Sequence, residues 1–189
     1  MDFSNAINHY ETSLRGLNTA GLDGTYPEGG AIRGGSGKLY EEIPTMIINE
    51  INPNLIVKQR DNLIAEAGGY INDGIQVDLH VYEKDKIKFL VECKSYIDSS
   101  MLKRAIFDFL EIKKAIGDCP RIISTGQLAI KEETLNYHRE LAKELGVPFE
   151  VFVLNTSKWR KKNIGVTKTL DTLDENALNM LRGHLRNLV

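Results

Sequence analysis

The sequence predicts an α/β (α+β) fold in which a mixed central sheet of about five strands is flanked by helices. Three observations lead there. Residues 74–95, GIQVDLHVYEKDKIKFLVECKS, read as two strands joined by a tight turn. Two stretches with apolar residues at spacings of 3 and 4 then alternate with compact apolar strands, as βαβ-like units do. Finally, Phe89, Leu90 and Val91 run continuously apolar, which marks a central strand covered on both sides.

Each element follows from its own residues. Residues 1–20 carry Ala6, Ile7, Tyr10, Leu14 and Leu17 near helical spacing, and 21–37 (GLDGTYPEGGAIRGGSG) are glycine-rich enough to predict a loop or turn series. From Lys38, KLYEEIPTMIINEIN sets Leu39, Ile43, Met46, Ile47, Glu50 and Ile51 on about one face of a helix, where Pro44 either introduces a kink or starts a fresh first turn. Residues 54–59 predict a first strand, and 75–82 and 87–95 the hairpin. The next helix opens at an N-cap Ser99 or Ser100 and stops at Gly117. Strand 121–125, a helix ending at Gly146, strand 148–155 and a last helix at 174–187 complete the order of helix, three strands, helix, strand, helix, strand, helix.

The 189 residues predict one domain, with a core at about 38–155 between an N-terminal helix and glycine-rich loop (1–37) and a basic loop and helix (156–189). Hydrophobic residues make up 42% and charged residues 26%, as in ordinary globular proteins, and no apolar run approaches a membrane span. The polar, acidic N-terminus predicts no signal peptide. Cys93 and Cys119 have no ligand-like spacing, which points to a reducing, cytoplasmic setting. A net charge of −2 leaves any nucleic-acid contact to local basic patches.

The chemistry concentrates in the hairpin. If it folds about Lys84-Asp85-Lys86, Asp78 faces Glu92, with Cβ atoms about 5 Å apart. Two carboxylates so placed repel unless a hard divalent cation lies between them. Lys94 shares the face of Glu92, because strand side chains alternate. Phosphodiester hydrolysis uses such a set: Mg²⁺ on one or two carboxylates, and a lysine that orients or deprotonates the attacking water or stabilises charge. The Cys93 side chain points to the other face, while its backbone carbonyl is a further oxygen ligand. The bland alternative is an exposed face whose Asp, Glu and Lys pair with one another. Charges at the end of an apolar strand are costly, however, which favours a site.

VDLHVYEKDKIKFLVECK, with a glutamate-bearing helix upstream, resembles the PD-(D/E)XK nuclease superfamily, and type II restriction endonucleases in particular. In that family an αβββαβ core carries an acid on the second strand and (D/E)-x-K on the third. The resemblance covers roughly residues 38–155 and departs from the motif where Val77 replaces proline. It implies metal binding by Asp78 and Glu92, a catalytic Lys94, Mg²⁺ (or Mn²⁺) as cofactor, and double-stranded DNA cut at a specific sequence by a homodimer. Such families often add a glutamate from the first helix. Glu42, at the edge of the inner face, is preferred; Glu41 points nearly opposite, and Glu50, on the buried side, is a third candidate.

Candidate DNA contacts lie around this core. The segment with Arg33, Gly34, Gly35, Ser36 and Lys38 is not a P-loop, since Ile32 and Leu39 occupy two of the required positions. It suits a DNA phosphate at a helix start, or a guanine edge read by Arg33, or it is a plain connector. Ser95, Tyr96, Lys103 and Arg104 follow the motif, and Trp159, Arg160 and Lys161 lie in the basic SKWRKKN loop. No HExxH, G-x-S-x-G or dinucleotide fingerprint occurs; His80 shares the face of Asp78. Two other readings stay open: a repair or recombination nuclease that reads DNA structure, and a catalytically silent DNA-binding module of the same fold.

Overall fold

The computed structural model describes residues 30–60, 77–155 and 173–189, with side chains from Lys38 onward. Within these, four helices and five strands follow one another: α1 (Gly30–Ile51), β1 (Ile56–Gln59), β2 (Leu79–Glu83), β3 (Lys86–Ile97), α2 (Ser99–Ile116), β4 (Arg121–Leu128), α3 (Glu132–Glu144), β5 (Glu150–Val153) and α4 (Glu175–Leu188). The predicted N-terminal helix and the SKWRKKN loop lie outside the described residues.

The strands form one mixed sheet in the order β1-β2-β3-β4-β5. β1, β2 and β3 are antiparallel neighbours, whereas β4 and β5 run parallel to β3. The reason is connection length: two residues join β2 to β3, while α2 and α3 carry the chain back between the parallel strands. β3 is central, as its apolar run predicts. Val91 and Cys93 point into a core shared with Leu39, Ile43 and Ile47 of α1 and Leu178, Leu181 and Leu185 of α4. Leu90 points the other way, to Leu102, Ala105, Phe109 and Ile112 of α2 and Leu135 and Ala142 of α3. Burial on both faces fixes the register, because a slip of one residue would turn every core side chain outward.

The hairpin reaches the predicted pairing by another route. Its turn has two residues, Lys84 and Asp85, with Glu83 opposite Lys86 and Tyr82 opposite Ile87. A bulge then shifts the register between Val81 and Tyr82, so that Lys88 is an extra residue on β3 and Val81 faces Phe89. Beyond it His80 faces Leu90 and Leu79 faces Val91, which sets Asp78 against Glu92. The shorter turn and the bulge cancel.

Two helix starts differ from the sequence reading. α1 begins at Gly30, inside the stretch predicted as loop. Glycine costs only about 1 kcal/mol per helical residue, and a helix already anchored at residues 38–51 propagates at one hydrogen bond per residue. Pro44 is buried inside α1, where it contributes no N–H; the Thr45 hydroxyl donates to the Glu41 carbonyl at 2.7 Å. The N-cap of α2 is Asp98, not Ser99 or Ser100: its carboxylate accepts from the Met101 N–H at 2.9 Å and the Ser100 hydroxyl at 2.7 Å. A carboxylate also answers the positive end of the helix dipole, which a hydroxyl does less well.

Lys84 has a φ of 57°, the left-handed region that favours glycine. Lys84→Gly is expected to leave stability unchanged or to raise it by up to about 1 kcal/mol, and Lys84→Val to lower it by about 1 kcal/mol or more. Urea denaturation checks both, and equal stability of the two variants would contradict the turn geometry.

Candidate active site

β3 ends its apolar run with Glu92 and Lys94, two apart and therefore on one face, the face of Leu90 and helices α2 and α3. Asp78 stands at the bend just before β2. Its Oδ2 accepts from the Cys93 backbone N–H at 2.8 Å and from Lys94 Nζ at 3.2 Å. Lys94 Nζ lies 2.5 Å from Glu92 Oε1, and Glu92 Oε2 accepts from the Asp78 backbone N–H at 3.4 Å. Each acid thus takes a backbone N–H from the strand carrying the other, and the lysine bridges both. The predicted trio is brought together.

Its electrostatics follow from burial. Glu92 is 6% exposed. Burial first, and the nearby Asp78 charge second, push its carboxyl up to about 7 against the opposing pull of Lys94. For Lys94, burial works against the charged form, but Glu92 and Asp78 outweigh it and hold the amine above its ordinary value. The lysine is therefore an ammonium at neutral pH. The Cys93 thiol lies in the opposite core, where burial pushes it well up, so it offers no thiolate nucleophile. The N–H and C=O of a strand residue point to the same side. The Cys93 carbonyl is accordingly directed, like its N–H, toward Asp78.

On the helix side the structure corrects the sequence reading. Glu41, not Glu42, is the buried carboxylate, and Glu50 is exposed with Arg182 at 3.8 Å. Buried Leu39, Tyr40, Ile43, Pro44, Ile47 and Ile48 put the centre of the inner face at Tyr40 and Ile47, roughly 50° around the helix from the predicted stripe. Glu41 then lies at the edge of that face and Glu42 beyond it, half-buried. Counting Tyr40 and Ile48 among the apolar positions was the available signal. Glu41 pairs with Arg60 at 2.7 Å, a residue the sequence reading passed over. The Arg60 guanidinium is held above its usual value chiefly by its hydrogen bond to Glu41, with smaller contributions from Asp78 and Glu92. The Arg60 backbone N–H donates to the Asp78 carbonyl at 3.0 Å, which sets the residue beside the paired acids.

The remaining candidates are dispersed. Arg33, Gly34, Gly35 and Ser36 fall on the first turns of α1, so the predicted loop is helix there. Lys38 is exposed. Ser95 and Tyr96 continue β3, half-buried. Arg104 is exposed and pairs with Asp108 at 3.8 Å on α2, while Lys103 acts on His138, which lies 2.9 Å from the Ser99 hydroxyl. His80 is fully buried on β2, opposite Leu90. Trp159, Arg160 and Lys161 lie outside the described residues.

Two carboxylates and a backbone carbonyl form a hard oxygen donor set, and the shared ammonium shows that the acids accommodate a cation between them. Mg²⁺, which takes one or two carboxylates and keeps several waters, fits such a set. Among the described residues no group of three or more His, Cys, Asp or Glu side chains is placed to hold a metal ion. None of their helices is long and apolar enough to cross a membrane. No family model and no curated protein matches the chain.

The Glu92 carboxyl gives a pH signature. Its folded-state value, about 7, lies above its unfolded value of 4.5, so its stabilising contribution is complete below 4.5 and lost as pH rises through 7. In EDTA, wild-type stability should fall across that window by about 1–3 kcal/mol relative to Glu92→Gln. Denaturation at several pH values tests this, and parallel profiles for the two proteins would count against it.

Proposed function

We propose that this chain is a Mg²⁺-dependent endonuclease of the PD-(D/E)XK class, hydrolysing double-stranded DNA in the manner of type II restriction enzymes. The single observation that carries the reading is Lys94 bridging Asp78 and Glu92 across two paired strands. The element order supports it: α1-β1-β2-β3-α2-β4 follows the αβββαβ order of that core, with β4 parallel to β3.

Asp78 and Glu92, with the Cys93 carbonyl, would hold the metal, which supplies Lewis acidity to the phosphate and to a bound water. In the reaction a water oxygen bonds to phosphorus, one ester P–O bond breaks, and a proton ends on the leaving oxygen. In the metal-free site the two acids hold the Lys94 amine above its ordinary value, so it enters the reaction as an ammonium. It donates to the attacking water or to a non-bridging phosphate oxygen and stabilises the negative charge that builds there. The acids hold the ammonium in place before substrate arrives, so little reorganisation accompanies the chemistry. A homodimer acting on both strands of a palindrome belongs to the same proposal.

Long duplex DNA incubated with Mg²⁺ should give discrete bands that disappear in EDTA. Lys94→Ala and Asp78→Asn are each expected to lower the rate by about 10²–10³-fold or more while remaining folded. A smear would favour a nuclease that reads DNA structure. DNA retention without cleavage, under Mg²⁺ and Mn²⁺ alike, would favour a silent binding module.

A further inference from the structure

The Glu41–Arg60 ion pair, joined to the site through the Arg60 N–H on the Asp78 carbonyl, has no part in the chemistry above. The Glu41 side chain is 6% exposed, and a carboxylate so buried is costly without a counter-charge. The charge comes from Arg60, just beyond β1, whose guanidinium reaches Glu41 at 2.7 Å while 57% of its side chain faces solvent. Its backbone is fixed: the Arg60 N–H donates to the Asp78 carbonyl at 3.0 Å, and its φ is 53°. A non-glycine residue holds that left-handed conformation only where its surroundings impose it. The main chain is thus tied to Asp78, whereas the head group is placed to leave.

Among the described residues, two cations stand near the paired acids: Lys94 between Asp78 and Glu92, and Arg60, which is paired with Glu41 and joined to Asp78 through its backbone N–H. An arriving divalent cation meets repulsion from both cations. Lys94 is fastened between two acids at 30% exposure, while the Arg60 head group pairs with one acid among the described residues and its side chain is 57% exposed.

We propose that Arg60 is a displaceable counter-ion, which neutralises Glu41 in the metal-free site and is driven off it when a divalent cation binds at Asp78 and Glu92. Arg60 is then a positioning residue acting through Glu41, and the proposal rests on the metal-site reading above. Displacement leaves the Glu41 charge to offset the incoming cation and frees a guanidinium at the mouth of the site.

Calorimetric titration with Mn²⁺ tests it. Arg60→Asn, chosen because Asn tolerates the left-handed backbone, should bind Mn²⁺ about tenfold more tightly than wild type. Arg60→Lys should stay near wild type, and in a Glu41→Gln background Arg60→Asn should have little effect. Equal or weaker binding by Arg60→Asn, or the same gain in both backgrounds, overturns the counter-ion. Binding that Asp78→Asn abolishes but Arg60 does not influence overturns the counter-ion and keeps the metal site. No Mn²⁺ binding by wild type overturns both. If Arg60→Asn does not fold, the Arg60 guanidinium resonance of the wild type decides. It should shift on Mg²⁺ saturation, and an unchanged signal overturns the proposal.

Discussion

The structure turns on one ammonium shared by two carboxylates. Asp78 and Glu92 face each other near the end of an apolar strand, where unpaired charge is costly and like charges repel. Lys94 relieves both penalties, since alternation returns its side chain to the face of Glu92 two residues later. Backbone N–H groups of Cys93 and Asp78 complete the arrangement, so the acids are held by the ladder as well as by the lysine. Removing the ammonium would leave two acids to share one proton or one metal.

The rest of the fold keeps that geometry rigid. β3 is clamped between two cores, so its alternation cannot slip. The bulge at Lys88 and the two-residue turn set the hairpin register together, and neither alone would place Asp78 opposite Glu92. On the parallel side Lys94 lies beside Thr125 of β4, which is fully buried, so the lysine stem has a packed neighbour. α1 adds a buried carboxylate of its own, Glu41, countered by Arg60, whose backbone N–H is bonded to the Asp78 carbonyl.

α1 shows where a one-dimensional pattern misleads. A helix packed against both a sheet and a second helix buries a wide arc, and a wide arc has no clear centre in the sequence. Met46 and Glu50 draw the apparent stripe one way; Tyr40 and Ile48, both buried, draw the real one the other way. The pattern therefore set Glu42 at the edge of the buried face, where the fold sets Glu41. Arg60 was illegible for a different reason. Its role depends on a 2.7 Å contact with a residue on another element, and nothing local in KQRDN announces it.

By itself the sequence determined the element order, the central place of β3 and the meeting of Asp78, Glu92 and Lys94. Those follow from short-range physics: side-chain alternation, apolar periodicity and the short reach of a hairpin. It also marked Gly117 and Gly146 as helix ends, both of which adopt positive φ. Tertiary structure alone decided the rotation of α1, the Glu41–Arg60 pair, the cancelling turn and bulge, and the extension of α1 through glycines that local propensity disfavours. Each is settled by packing between segments far apart in the chain. There, burial of a whole face outweighs the preferences, about 1 kcal/mol each, by which a local pattern is read.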